Sequence, residues 1–128
     1  MPLARYAFFH ALRFHRIAAS SILQGCDPKC FGKVPAAPAT PSATCGDGGP
    51  GFQFAAEPVH EAYVDGCVAM ANSWVNTNGS QFFICTANDT TALQPLYNLF
   101  GKVESGMDVA LKIAQCDLMK SITVREQT

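Results

Sequence analysis

Charge is scarce in this sequence: 15% of the 128 residues are Asp, Glu, Lys or Arg, and the formal net charge is −1. So even a balance supplies no basic field to attract nucleic acid or anionic lipid. Long apolar runs are missing too, and no stretch approaches the roughly 20 residues that a membrane-spanning helix needs. The opening Met1–His10 has one Arg and some apolar residues but no long apolar centre and no evident cleavage site. It reads as mature sequence, and the expected location is cytoplasmic. Zinc spacing is also absent. Of six cysteines, Cys26, Cys30 and Cys45 share a loop-like region with no His or fourth Cys beside them. Cys67, Cys85 and Cys116 lie in apolar contexts, as small buried hydrophobes do. The even count invites a disulfide reading, but the contexts favour buried or incidental thiols and no metal site.

What is present is a globular composition, 48% apolar, on a chain of single-domain length. Residues 1–128 read as one domain, with an atypical segment over 1–13 and a Pro/Ala-rich inserted loop over 28–47. Within it, Pro35–Thr44 has three prolines (Pro35, Pro38, Pro41) and no periodicity, which marks the loop as extended surface chain. Elsewhere short apolar or alternating runs separated by turn signals predict strands at Phe14–Ile17, Ile22–Gln24, Phe52–Phe54, Cys67–Ala71, Phe82–Thr86, Leu99–Val103 and Ser121–Arg125. One helix is predicted from Ser105, where Ser105-Gly106-Met107-Asp108 fits a capping box and Met107, Ala110, Ile113 and Ala114 form a stripe. Many short strands and one packed helix predict a mainly β, nearly closed architecture. Along the fifth predicted strand, Gln81 and Phe83 share one face while Phe82 and Ile84 point to the core.

The motifs are more specific than the pattern. Phe14-His15-Arg16-Ile17, then Gln24-Gly25 and Asp27-Pro28, Gly48-Gly49-Pro50-Gly51-Phe52, Ala69-Met70-Ala71-Asn72, Asn76-Thr77-Asn78-Gly79-Ser80-Gln81-Phe82-Phe83, Phe100-Gly101-Lys102-Val103 and Gly106-Met107-Asp108-Val109 occur in that order. Together they resemble the cyclophilin-type peptidyl-prolyl cis/trans isomerases, bacterial members especially. The resemblance implies a cyclophilin-like β-barrel, here shortened by the first two strands and first helix. It implies isomerisation of X-Pro bonds (rotamase, protein-folding or chaperone activity) without any cofactor. Its partners would be proline-containing peptides or unfolded clients, with no nucleic acid and no membrane.

By the same resemblance Arg16 is the catalytic donor. Gln24, Ala71, Asn72 and Gln81 hold the substrate backbone, Ile22, Phe83 and Leu93 line the proline pocket, and Tyr97 stands at its rim where many relatives carry a histidine. His15 is expected to make a structural hydrogen bond. Two departures bear on strength of binding. Ala19-Ser20-Ser21 replaces the family's Pro-Gly-Phe, removing an aromatic wall at Ser21. Ala92 stands where many relatives have tryptophan, which argues against tight binding of a cyclosporin-type inhibitor. The alternative implied by these departures is a degenerate cyclophilin fragment that binds proline-containing segments without catalysis, or is non-functional.

Overall fold

The computed structural model describes residues 2–5, 7–30, 45–88 and 93–127. Most of the inserted loop (31–44) and Ala92 lie outside the described residues. The chain opens on a short helix α1 (Pro2–Arg5) and continues through β1 (Leu12–Arg13), β2 (Arg16–Ala18), β3 (Ile22–Gly25), β4 (Cys67–Met70), β5 (Phe82–Cys85), β6 (Leu99–Lys102), α2 (Met107–Ala110) and β7 (Leu118–Met119). The strands form a two-stranded sheet, β1-β7, and a five-stranded sheet in the order β2-β3-β5-β4-β6. Every pairing is antiparallel. Among the described residues these sheets do not close into a barrel.

Alternation along the strands divides the apolar side chains between two cores. Leu23 of β3, with Phe82 and Ile84 of β5, packs with Leu12, Phe14 and Met119 on one face. Ile22, Phe83 and Cys85 face the other way and pack with Tyr63, Cys67 and Ala69. The face assigned to Gln81 and Phe83 therefore carries a core of its own rather than an open surface. The N-terminal residues supply part of the cover for the first core: Ala4, Phe9 and Leu12 are buried in it. An apolar cavity of about 560 Å³ remains beside them, lined by Leu3, Phe9, Phe54, Met70, Phe82 and Ile122 among others.

Several expected elements are corrected. Phe14–Ile17 is not one strand, because the chain passes from one sheet to the other there. Phe14 donates its N–H to Asp117 O and its carbonyl accepts from Cys116 N, which ties this residue to the β7 side. Phe52–Phe54 forms no strand; only Phe54 bridges to Asn78, and both aromatic rings are exposed. Ser121–Arg125 is likewise no strand, since β1 pairs instead with Leu118–Met119. The capping box does not form: Gly106, in the left-handed region at φ 90°, occupies the N-cap, and no side chain caps the helix. That helix is a single turn with Ala110 buried, and a second short helix, α1, precedes it in the chain. Finally, Cys30 and Cys45 are joined by a disulfide across 15 residues, so they are not thiols as expected. A spacing of 15 gave no local signal for this pair; the fold brings their Cα atoms to 4.5 Å.

Candidate active site

The residues singled out in the sequence converge on the Ile22/Phe83 face of the five-stranded sheet. The β2–β3 hairpin begins the arrangement. Its three-residue turn, Ala19-Ser20-Ser21, places Ser20 at φ 55° and closes with a 3.0 Å bond from Ser21 N to Ala18 O. That turn sets Arg16 opposite Gln24, Ile17 opposite Leu23 and Ala18 opposite Ile22. Next door, β3 aligns Gln24 with Phe83 and Gly25 with Phe82 on β5.

Three polar side chains are linked in series across these strands. Arg16 Nη1 donates to Gln24 Oε1 at 3.1 Å, and Gln24 Nε2 donates to Gln81 Oε1 at 2.9 Å. Gln81 Nε2 in turn donates to the carbonyls of Gly46 and Gly48, both at 2.9 Å. Arg16 is exposed, Gln24 half-buried and Gln81 buried, so the series runs from solvent into the protein. A guanidinium held by an amide that is itself held loses less rotamer freedom when it meets a ligand. Charge-assisted bonds are also the stronger class.

The loop that accepts from Gln81 is shaped by a buried carboxylate. Asp27 Oδ1 accepts from Lys29 N, and Asp27 Oδ2 accepts from the N–H groups of Gly46 and Gly48. A Cβ at position 48 would fall well inside contact distance of Asp27 Oδ1, so this approach requires glycine. Sequence reading missed Asp27 and the two glycines as contributors. For Asp27 and Gly48 a signal was present only in the matching of Asp27-Pro28 and Gly48-Gly49-Pro50 to one family pattern, and for Gly46 there was none.

Ala71 and Asn72, predicted to hold the substrate backbone, follow β4. Ala71 N donates to Gln81 O at 3.0 Å, and Asn72 Nδ2 donates to Leu96 O at 2.8 Å. With Gln24, Gln81, Thr77 and Gly48 they line a polar pocket of about 120 Å³. Thr77 shapes its rim, because its hydroxyl accepts from Ser73 N and Trp74 N and donates to Trp74 O.

The predicted proline-pocket residues form the apolar neighbour of this pocket. Ile22 and Phe83 are buried in one cluster, against which Ala18, Ala71, Leu93 and Tyr97 pack. Phe83 is only 2% exposed, and its ring meets that of Tyr97 edge-on at 5.6 Å. Tyr97 is fixed from behind as well: Tyr63 Oη donates to Tyr97 O at 2.7 Å and accepts from Tyr97 N at 3.0 Å. Burial pushes the Tyr63 phenol above its ordinary pKa, against the smaller opposing effect of its bond to the Tyr97 backbone. Ser21, where an aromatic wall is missing, is half-buried at the hairpin turn.

His15 departs from expectation. It is 6% exposed, and neither ring nitrogen has a hydrogen-bond partner among the described residues. Its carbonyl accepts from Gln115 Nε2 at 3.1 Å. Desolvation lowers the imidazole pKa; Asp27 opposes that shift and Arg16 adds to it, so burial favours the neutral ring.

Comparison with known proteins gives the family and the fold. The family model for the cyclophilin type peptidyl-prolyl cis-trans isomerase matches residues 1–127. A Helicobacter pylori peptidyl-prolyl cis-trans isomerase is 34% identical over 126 residues, covering 95% of this chain and 68% of the relative. Peptidyl-prolyl cis-trans isomerase B of Bacillus subtilis is 33% identical over 127 residues, covering 95% of this chain and 76% of the relative. Among solved structures, a Cryptosporidium parvum cyclophilin type isomerase, crystallised in the presence of the dipeptide Ala-Pro, is similar with a TM-score of 0.75. It is 25% identical, and the match covers 98% of this chain and 82% of that one. The structural likeness fixes the fold as cyclophilin-like despite the open sheets, and the match reaches beyond the Phe14–Val109 motifs to both ends of the sequence. This chain belongs to the cyclophilin-type peptidyl-prolyl cis-trans isomerase family.

Proposed function

We propose that the chain accelerates cis/trans isomerisation of X-Pro bonds in peptides and folding proteins, with Arg16 as the catalytic donor. The observation that carries this reading is the Arg16–Gln24–Gln81 series beside the Ile22/Phe83/Leu93/Tyr97 cluster. Rotation about a peptide bond faces a barrier of about 18–20 kcal/mol because amide resonance is lost at the twisted state. In that state the prolyl nitrogen regains its lone pair. A guanidinium has five N–H donors, one of which holds Gln24 here, leaving donors for the prolyl amide. Each ~1.4 kcal/mol by which the twisted amide is favoured over the planar one gives about tenfold in rate. The apolar cluster takes the prolyl ring while Gln24, Gln81, Ala71 and Asn72 bind the flanking backbone. No nucleophile or cofactor enters this chemistry.

The ligand class is supported by the Cryptosporidium parvum relative, whose structure was obtained in the presence of Ala-Pro. A cytoplasmic setting belongs to the same reading. No helix among the described residues is long and apolar enough to cross a membrane. Four cysteines, Cys26, Cys67, Cys85 and Cys116, stand outside the disulfide, and in that setting Cys30 and Cys45 would be held as thiols as well. The test is a proline-limited peptide assay on the purified chain with Arg16→Ala alongside. A wild-type rate above the uncatalysed one, lost in the variant, supports catalysis. Saturable binding of a proline-containing peptide with no change in rate would support the second reading, a binding module, which the half-buried Ser21 favours in place of an aromatic wall.

A further inference from the structure

The fold gathers three metal-ligating groups that the sequence keeps apart. One ring nitrogen of His15 and the sulfurs of Cys30 and Cys45 all lie within 4.8 Å of one another. His15 and Cys30 are buried, while Cys45 is half-buried and opens the cluster to solvent on one side. His15 is the telling member, because a buried imidazole with both nitrogens unpartnered among the described residues carries an uncompensated desolvation cost. One of its nitrogens lies within 4.8 Å of two sulfurs, which as thiolates are the natural companions of imidazole on zinc.

We propose that, with the Cys30–Cys45 bond reduced, His15, Cys30 and Cys45 form a zinc-binding site of S₂N composition. The chemistry balances in two steps. A trialkylphosphine and one water reduce the disulfide to two thiols, and the phosphine becomes the phosphine oxide. The two thiols then release two protons as the thiolates bind Zn²⁺. At Zn–S distances of about 2.3 Å and a tetrahedral angle, the sulfurs stand about 3.8 Å apart. Cα atoms at 4.5 Å keep both side chains within that reach. Three protein ligands leave the fourth position to water on the exposed Cys45 side. The site adjoins the peptide pocket through the backbone, since Gly46, next to Cys45, accepts from Gln81 Nε2 through its carbonyl.

The experiment uses the full chain, reduced anaerobically with a trialkylphosphine and titrated first with Co²⁺ and then with Zn²⁺. One equivalent of cobalt should give thiolate-to-cobalt charge-transfer absorbance with tetrahedral d–d bands, and one equivalent of zinc should abolish them. Loss of an outer-shell partner alone weakens metal sites by about 10–100-fold, so His15→Ala should weaken binding at least about 100-fold. Cys45→Ser, at the half-buried position, gives the same readout with less risk to folding. No charge-transfer absorbance from the reduced wild type overturns the proposal. So does binding that survives Cys45→Ser undiminished, which would assign the metal to the other cysteines.

Discussion

Arg16 and Gln24 face each other across the β2–β3 hairpin as register partners, and the guanidinium donates to the amide oxygen at 3.1 Å. The bond fixes the direction of an exposed cation at the edge of an apolar cluster. It also divides the labour: Arg16 is positioned by Gln24, and Gln24 by Gln81.

That order predicts coupled effects. Gln24→Leu removes both bonds and should lower kcat/KM for a proline-containing peptide by roughly 10–100-fold, the equivalent of a hydrogen bond to a charged group at about 1.5–3 kcal/mol. Adding Gln24→Leu to Arg16→Ala should then cost less than it does alone, because the residues act as a unit. Fully additive losses in a double-mutant cycle would show that Gln24 binds substrate independently of Arg16.

Ser21 offers a gain rather than a loss. Its backbone is anchored by Ser21 N to Ala18 O and by Thr86 N to Ser21 O, and it is Ser20, not Ser21, that sits at positive φ. Ser21→Phe therefore meets no backbone penalty and restores an apolar wall. Full burial of such a ring contributes roughly 1.5–3 kcal/mol. About half of that, for a half-buried site, lowers the dissociation constant for a proline-containing peptide by several-fold. Calorimetric titration with and without the substitution measures it, and unchanged affinity would place Ser21 away from the bound ring.

Gly48 couples loop structure to the site. In Gly48→Ala the added methyl collides with the Asp27 carboxylate, which organises the N–H groups of residues 29, 46 and 48. Losing one such charge-assisted bond costs about 1.5–3 kcal/mol. The urea midpoint should fall, and peptide affinity with it, since the displaced Gly48 carbonyl accepts from Gln81. A variant with wild-type stability and affinity would refute this coupling.

How far the sequence led is visible in particular residues. The shared face of Gln81 and Phe83 followed from a period of two, and the gathering of Arg16, Gln24 and Gln81 at one site from an ordered set of motifs; the pairing of β2 with β3 came from the structure. Alternation at Ser121–Arg125 was equally clean and formed no strand, because alternation records a face and not a partner, and β1 pairs with Leu118–Met119. The Ser105 cap failed where a left-handed glycine took the position. The meeting of His15 with Cys30 and Cys45 was illegible for another reason: residues 15 and 30 positions apart are joined by tertiary folding alone, and no local spacing encodes them.

The disulfide itself yields a stability prediction. Closing a loop of about 15 residues restricts the unfolded chain and stabilises the fold by about 3 kcal/mol in the chain-entropy account. In metal-free buffer, reduction should lower the unfolding free energy by that order, with the denaturant midpoint as readout. Coincident midpoints for the oxidised and reduced chains would mean that the unfolded ensemble is already as restricted without the bond.

Alkaline pH tests both cores, the first through Cys26 and the second through Tyr63. Burial raises the Cys26 thiol above its ordinary 9.0 and the Tyr63 phenol above its ordinary 10.0, so both groups stay protonated in the folded chain where the unfolded chain ionises. Above pH 9 the unfolded state then binds fewer protons than the native one, and stability falls as pH rises. Below pH 9 these two groups leave stability flat. The thiolate being the nucleophile, Cys26 should also resist alkylation in the native state, whereas half-buried Cys116 reacts sooner. Urea midpoints measured between pH 7 and about pH 10.5 should decline only in the upper part of the range. A midpoint that holds constant to the top of it would show that Cys26 and Tyr63 ionise as readily folded as unfolded, and that the packing around them admits water.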